Sequence, residues 1–278
     1  MNNFTDSDSF KARLQRFFYF VEILYINNIQ FQTGARRAHS QGSVSVPNCH
    51  RTRSGFYRYF PFVVFIGFIT IDEFLRFLAG QGLFKLEATT LYYLYPLKAM
   101  TTGYFLYLFK EHYHELKFKD LINLPATVAS CGVGLLVFVL WINMDWALGA
   151  ANTPQGFNPS LLPGRNLQIA MILIRIVGAV LIVPLMEELF WRSFLIRSII
   201  NKNFENVRLG TFTWTSFLFT VVLFGLEHNY ILAGIMAGIF YNLILYRTRS
   251  LAQCVLAHAV TNLALAIYVV STGKWQFW

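Results

Sequence analysis

Charged residues are scarce in this chain. Asp, Glu, Lys and Arg make up 13% of its 278 residues, against about 25% in a soluble domain, which excludes an ordinary water-soluble fold. Cysteine is nearly missing: Cys49, Cys131 and Cys254 have no spacing that suits a metal site or a disulfide framework. Two of them fall inside apolar runs, where a small buried side chain is the simpler account. There is no Gly-rich phosphate loop and no His-Glu-x-x-His helix of the zinc-protease kind. Internal repeats and low-complexity tracts are absent too, which weakens an inverted-repeat transporter. A secretory signal is also missing, since the apolar run at 17–25 is short, carries Glu22 and lacks a small-residue cleavage site.

What the chain has in abundance is apolar and aromatic surface. Hydrophobic residues reach 55%, aromatics 17% and Phe alone 28 positions, with a mean hydropathy of +0.46. The apolar residues come in blocks of about 17–22, enough to cross a hydrocarbon core about 30 Å thick. Backbone polar groups in lipid must be satisfied within the segment, so these blocks are helices. They predict an all-α, polytopic transmembrane helix bundle of about seven or eight spans, at 59–78, 90–109, 124–144, 168–186, 212–227, 230–246 and 251–271. The stretch 187–200 either continues the fourth span as an amphipathic helix or forms a short separate one.

The formal charge of +9 speaks for orientation in a bilayer rather than for nucleic acid. With the N-terminus cytoplasmic, 17 of the 23 Lys and Arg fall on cytoplasmic segments and 3 on the other side. Three regions follow: a basic, disordered cytoplasmic tail at 1–56 with an interfacial helix at 14–27, N-terminal transmembrane helices with an external loop at 57–166, and a helical core at 167–278. The external loop itself, at 145–166, is rich in Gly, Pro and Asn. Trp275 and Trp278 suit an interfacial anchor.

Ionisable residues at hydrocarbon depth mark function. Glu187, Glu188 and Arg192 close an otherwise aliphatic run. Adjacent carboxylates on a helix point about 100° apart, whereas Glu188 and Arg192 are four residues apart and share a face. Glu187 is thereby free to face a cavity and take a proton from water. The bland reading, of equal weight on this motif alone, is a membrane boundary. Phe224 and His228 share a face on the next block, where a lone His is more often structural. His258 and Asn262 share one on the last, where the Asn amide can orient the imidazole or stabilise an oxyanion, or simply join two helices. Taken together, a carboxylate, a His and a His/Asn pair are the parts needed to activate water in a dry site. They suit a metal site equally, with Glu187, His228 and His258 as ligands, so a divalent metal such as zinc, or none, stays open.

In this order the motifs Glu-Glu-x-x-x-Arg, Phe-x-x-x-His and His-x-x-x-Asn resemble the CPBP intramembrane proteases, which include CAAX prenyl protease type 2 enzymes and bacterial Abi proteins. The resemblance covers about 168–271. The wording of 183–192 and 224–228 and the Trp-Gln-Phe-Trp ending also resemble the branch that accompanies exosortase systems in Gram-negative bacteria. The resemblance implies a multi-pass protein of the bacterial inner membrane that cleaves a membrane-anchored protein, with exosortase or exopolysaccharide components as partners. It implies that Glu187 activates water, that His228 positions it or shares the proton, that His258 and Asn262 stabilise the oxyanion, and that Glu188, Arg192 and Phe224 support them. It leaves a glutamate or a metal-dependent mechanism open. The competing readings are a non-catalytic scaffold of the same fold for protein sorting or exopolysaccharide export, and a proton-coupled transporter. One tension remains: full-length spans put Glu187 and His258 near one membrane face and His228 near the other. A short or tilted 212–228 helix, or a deeper catalytic helix, removes it.

Overall fold

A computed structural model describes residues 53–87, 89–144 and 156–278. Residues 1–52 of the basic tail, with the interfacial helix expected at 14–27, and half of the 145–166 loop lie outside the described residues. The described residues fold as helices with no strand. The seven long helices are α1 (Arg53–Gly80), α2 (Leu94–Leu108), α3 (Leu124–Asn143), α4 (Arg165–Ile200), α5 (Trp214–Glu227), α6 (Ile231–Thr248) and α7 (Leu251–Thr272). The apolar blocks thus become helices as expected. By length and composition, four of the described helices, α3, α4, α6 and α7, are long and apolar enough to cross a bilayer; α1 carries Asp72, Glu73 and Arg76 in its second half, and α2 and α5 have 15 and 14 residues.

Helix α4 organises the site. The fourth apolar block and the segment after it form one unbroken helix of 36 residues. It widens into π-helical turns at Gly178–Ile182 and Leu189–Leu195. Pro184 accounts for the first, because proline has no N–H to donate and its ring crowds the preceding turn. In the wider register the carbonyl left without a donor is that of Ala179, five residues back, and Asn262 Nδ2 donates to it at 2.8 Å. The second π turn begins directly after Glu188 and resets the facing of Trp191 and Arg192. Single π turns inside α-helices are frequent at functional sites.

Small residues let the other helices close around α4. Gly134 of α3 lies against the α7 backbone so tightly that a Cβ there would be 2.4 Å from Ala257 O. Gly225 and Gly234 play the same part between α5 and α6, where a Cβ on Gly225 would be 2.4 Å from Ile235 Cγ1. This is how helices associate when lipid offers no hydrophobic drive to push them together. Polar links reinforce the contacts: Tyr241 OH donates to Thr261 Oγ1 at 2.9 Å, and Thr261 Oγ1 donates to Gly134 O at 2.8 Å, tying α6 to α7 to α3. Phe62 of α1 stacks on Phe190 of α4 at 4.2 Å between centroids. Cys254 is buried and Cys131 partly so, both as free thiols.

Candidate active site

The three polar motifs, far apart in sequence, converge on one cavity. Glu188 sits fully buried on α4, and its Oε1 accepts from Arg192 Nη1 at 3.1 Å and from His258 Nδ1 at 2.9 Å. A carboxylate has no proton to offer, so the shared hydrogen belongs to Nδ1 and Nε2 of His258 is left as a bare acceptor. That nitrogen lies 4.0 Å from Glu187 Oε2. Glu187 is itself 4% exposed, and Oε2 has no hydrogen-bond partner. Arg192 continues inward: its Nε donates to Asn242 Oδ1 at 3.2 Å, and Asn242 Nδ2 donates to Thr220 Oγ1 at 3.1 Å. Its guanidinium also lies over the Phe224 ring, 4.5 Å from the centroid.

Both imidazoles are held by aromatic neighbours. His258 stacks on Tyr241, with centroids 4.8 Å apart and planes 22° off parallel. His228 packs beside Phe224 at 4.8 Å and against the edge of Trp141 at 5.3 Å. His228 Nδ1 is 2.7 Å from Phe224 O, a carbonyl that only accepts, so this ring also carries its proton on Nδ1 and leaves Nε2 bare. Glu227, the neighbour of His228, accepts from Trp191 Nε1 at 3.2 Å through its Oε2.

Glu187, His228, His258 and Asn262 all line a cavity of about 270 Å³, just under the about 300–1,000 Å³ of typical small-molecule sites. The placement of His228 resolves the tension in the sequence reading: α5 is about 21 Å long at 1.5 Å per residue, too short to carry His228 to the far membrane face. Phe224, Tyr241, Thr261 and Trp141 complete this wall. Tyr241, Thr261, Trp141 and Asn242 escape sequence reasoning because buried tyrosines, threonines and tryptophans are common in any helix bundle. Lys98 and Arg175, two intramembrane cations whose role is ambiguous in sequence, also line the cavity. Lys98 Nζ lies 4.2 Å from the Phe65 ring centroid, and the Arg175 guanidinium 4.6 Å from that of Tyr95. Neither forms an ion pair among the described residues, and Arg175 Nε is buried without an acceptor.

Among the described residues no group of three His, Cys, Asp or Glu side chains is placed to hold a metal ion. Glu187, His228 and His258 share one cavity. The Nδ1 contacts of the two His rings, with Phe224 O and with Glu188, leave each Nε2 free, an arrangement that suits water positioning and metal ligation alike.

Residues 169–264 match the family model described as "Type II CAAX prenyl endopeptidase Rce1-like". The match spans Glu187, Glu188, Arg192, Phe224, His228, His258 and Asn262 and agrees with the CPBP resemblance carried by those residues. It supports a CAAX-type protease acting in a membrane and gives no support to the exosortase-associated branch, the Abi grouping or the metalloprotease label. No curated protein and no solved structure matches the chain.

Proposed function

We propose that this protein is an intramembrane endopeptidase that hydrolyses a peptide bond of a membrane-tethered protein, using Glu187 to activate the water. The observation that carries this reading is the buried Glu187 carboxylate, whose Oε2 lacks a partner and faces the bare Nε2 of His258 across 4.0 Å at the cavity wall. A buried carboxylate oxygen without a donor is costly unless something completes it, and a water between these two acceptors would give each a hydrogen. As the water oxygen bonds to the peptide carbonyl carbon, its proton passes to Glu187. When the C–N bond breaks, that proton goes to the leaving nitrogen, so one water is consumed and an acid and an amine result.

The remaining residues take roles that their hydrogen bonds allow. His258 starts as a neutral acceptor, because Glu188 fixes its proton on Nδ1; it orients the water. It turns into a donor for the oxyanion only after gaining a proton. Asn262 has one Nδ2 hydrogen on Ala179 O and a second for the developing oxyanion. His228 lines the same cavity and positions the peptide or the water through Nε2. Lys98 and Arg175 then face the substrate as unpaired cations. Arg175, Ala179, Val183 and Glu187 recur every fourth residue along one cavity wall, which sets Arg175 about 18 Å from Glu187. That leaves room for roughly three to five extended residues at about 3.3–3.6 Å each between the scissile bond and a carboxylate anchored by the two cations.

The purified protein in lipid nanodiscs, given quenched-fluorescent peptides with and without a prenyl group, tests this reading. Cleavage by wild type that disappears in Glu187→Gln is expected. Loss of a cellular phenotype by deletion, rescued equally by wild type and Glu187→Gln with no cleavage of any peptide, would instead establish the scaffold role.

A further inference from the structure

A second cavity, of about 1070 Å³, lies at one end of the bundle, apart from the site around Glu187. It is built where the α2–α3, α4–α5 and α6–α7 connections meet, and seven Lys and Arg against three carboxylates line it. Two of the cations are buried at its floor: Arg58 donates from Nε and Nη2 to Glu115 at 2.6 and 2.7 Å, and Arg197 Nη2 to the same carboxylate at 3.4 Å. Glu115 therefore offers little to the rest. Asp120 accepts from Ser250 Oγ at 2.6 Å. The other five cations, Lys117, Lys119, Arg208, Arg247 and Arg249, are exposed and form no ion pair among the described residues.

Two further features say what would complement that charge. Gln253, 1% exposed, donates through Nε2 to Asp120 O and Thr127 Oγ1, both at 3.0 Å, which fixes the orientation of its amide. Its Oε1 is buried without a donor, and the residue itself lines the same cavity. An anion alone leaves that oxygen unsatisfied, whereas a phosphate carrying a hydroxyl supplies both charge and donor. Beside Lys117 and Lys119, the 3-10 turn Phe118–Ile122 holds Phe118 and Ile122 outward at 62% and 76% exposure, followed by Leu124 at 69%. A soluble phosphate has no use for such an apolar rim; an acyl chain does.

We propose that this cavity binds the headgroup of an anionic phospholipid, with the phosphate among Lys117, Lys119, Arg247 and Arg249, a headgroup hydroxyl on Gln253 Oε1, and an acyl chain along Phe118, Ile122 and Leu124. Basic pockets between membrane helices recognise anionic headgroups. The site is independent of the proteolytic reading, because it shares no lining residue with the Glu187 cavity.

The test uses the full chain purified from membranes and native mass spectrometry after exchange into phosphatidylcholine containing a minor share of phosphatidylglycerol. Wild type retains phosphatidylglycerol in preference to phosphatidylcholine. Lys117→Gln/Lys119→Gln/Arg247→Gln/Arg249→Asn, with Asn chosen because Arg249 has a φ of 54°, loses that retention by about tenfold or more. Lys85→Gln/Arg165→Gln, exposed cations outside the cavity, keeps it. Equal retention by the quadruple and control variants overturns the proposal. Independently of any variant, short-chain phosphatidylglycerol raises the melting temperature of wild type. An equal rise with inorganic phosphate or glycerol phosphate overturns the lipid assignment, and a rise with short-chain phosphatidylcholine of the same size overturns the anionic one.

Discussion

His258 Nδ1 and Glu188 Oε1, seventy residues apart in sequence, meet at 2.9 Å in a buried hydrogen bond. The contact sets the tautomer of His258 and leaves its bare nitrogen 4.0 Å from Glu187, so in the proposed mechanism the second carboxylate of the Glu-Glu pair acts through the histidine rather than on substrate. The two neighbouring glutamates thus divide their work by facing: one orients, the other is left with an unpartnered oxygen at the cavity.

Glu187→Gln keeps the shape of the side chain and removes its ability to accept a proton. Peptide cleavage should fall by about 10²–10⁴-fold, the usual share of a general base, with helix content and melting temperature close to wild type. A variant that retains more than a tenth of the activity places the base elsewhere.

The Glu188–Arg192 pair, at 0% and 1% side-chain exposure, predicts a thermodynamic asymmetry. Arg192→Met alone strands the Glu188 charge and should cost about 3–5 kcal/mol, whereas Glu188→Gln/Arg192→Met removes both charges and should cost less. Chemical unfolding in mixed micelles measures both. A double variant less stable than Arg192→Met contradicts the assignment of this pair as mutually compensating.

Much of this arrangement is legible in the sequence, and the reasons for the remainder are physical. Apolar blocks locate the helices because lipid forces them to be helical. Local i, i+4 pairs, Glu188 with Arg192 and Phe224 with His228, follow from helix geometry alone. The two π turns of α4, on either side of Glu187, widen the helix in a way that the 3.6-residue repeat does not announce; only Pro184 hints at the first. Block length also leaves the helix ends open, since α5 stops at Glu227 after 14 residues. Long-range partners such as Arg192 with Asn242, or Asn262 with Ala179 O, involve residue types with no fixed role and are visible only in the packed bundle.

Gly134→Ala probes whether α3 sets the position of His258. The added methyl would be 2.4 Å from Ala257 O, the residue before His258, and 3.0 Å from Val260 Cβ, and backbone cannot yield as a flexible side-chain tip does. Overpacking of this kind costs about 1–3 kcal/mol. Cleavage should drop together with the melting temperature, and Gly67→Ala, where nothing lies within 4 Å, should change neither.

Glu115 predicts a pH dependence of stability outside the spans. Burial pushes its carboxyl up, but the hydrogen bonds and charge of Arg58, with the hydroxyl of Ser193, outweigh burial and hold it below its ordinary value of 4.5. A depressed folded value means that the unfolded chain binds the proton first, so the stabilisation is complete above about 4.5 and fades as pH falls through the lower folded value. Glu115→Gln should flatten this part of the acid limb of stability while lowering stability at neutral pH. An acid limb of unchanged steepness in that variant would show that other carboxylates govern it.

Lys98 and Arg175 carry the last prediction, because they separate a peptidase that reads a chain end from one that reads only a membrane segment. Two cations beside aromatic rings in one cavity, with Arg175 Nε unpartnered, have no carboxylate partner among the described residues, and in the proposed reading a substrate anion supplies it. Peptides with a free C-terminal carboxylate should therefore be cleaved with a lower KM than their amidated twins. Lys98→Met and Arg175→Met should each raise KM for the free acid, by about 10-fold for a lost charge-assisted hydrogen bond of about 1.5 kcal/mol or more, and should leave the amide unaffected. With kcat little changed, that pattern assigns both residues to substrate positioning and leaves water activation to Glu187. If the acid and the amide are cleaved alike by wild type, the cations have some other anion to hold, and the peptide enters without regard to its end.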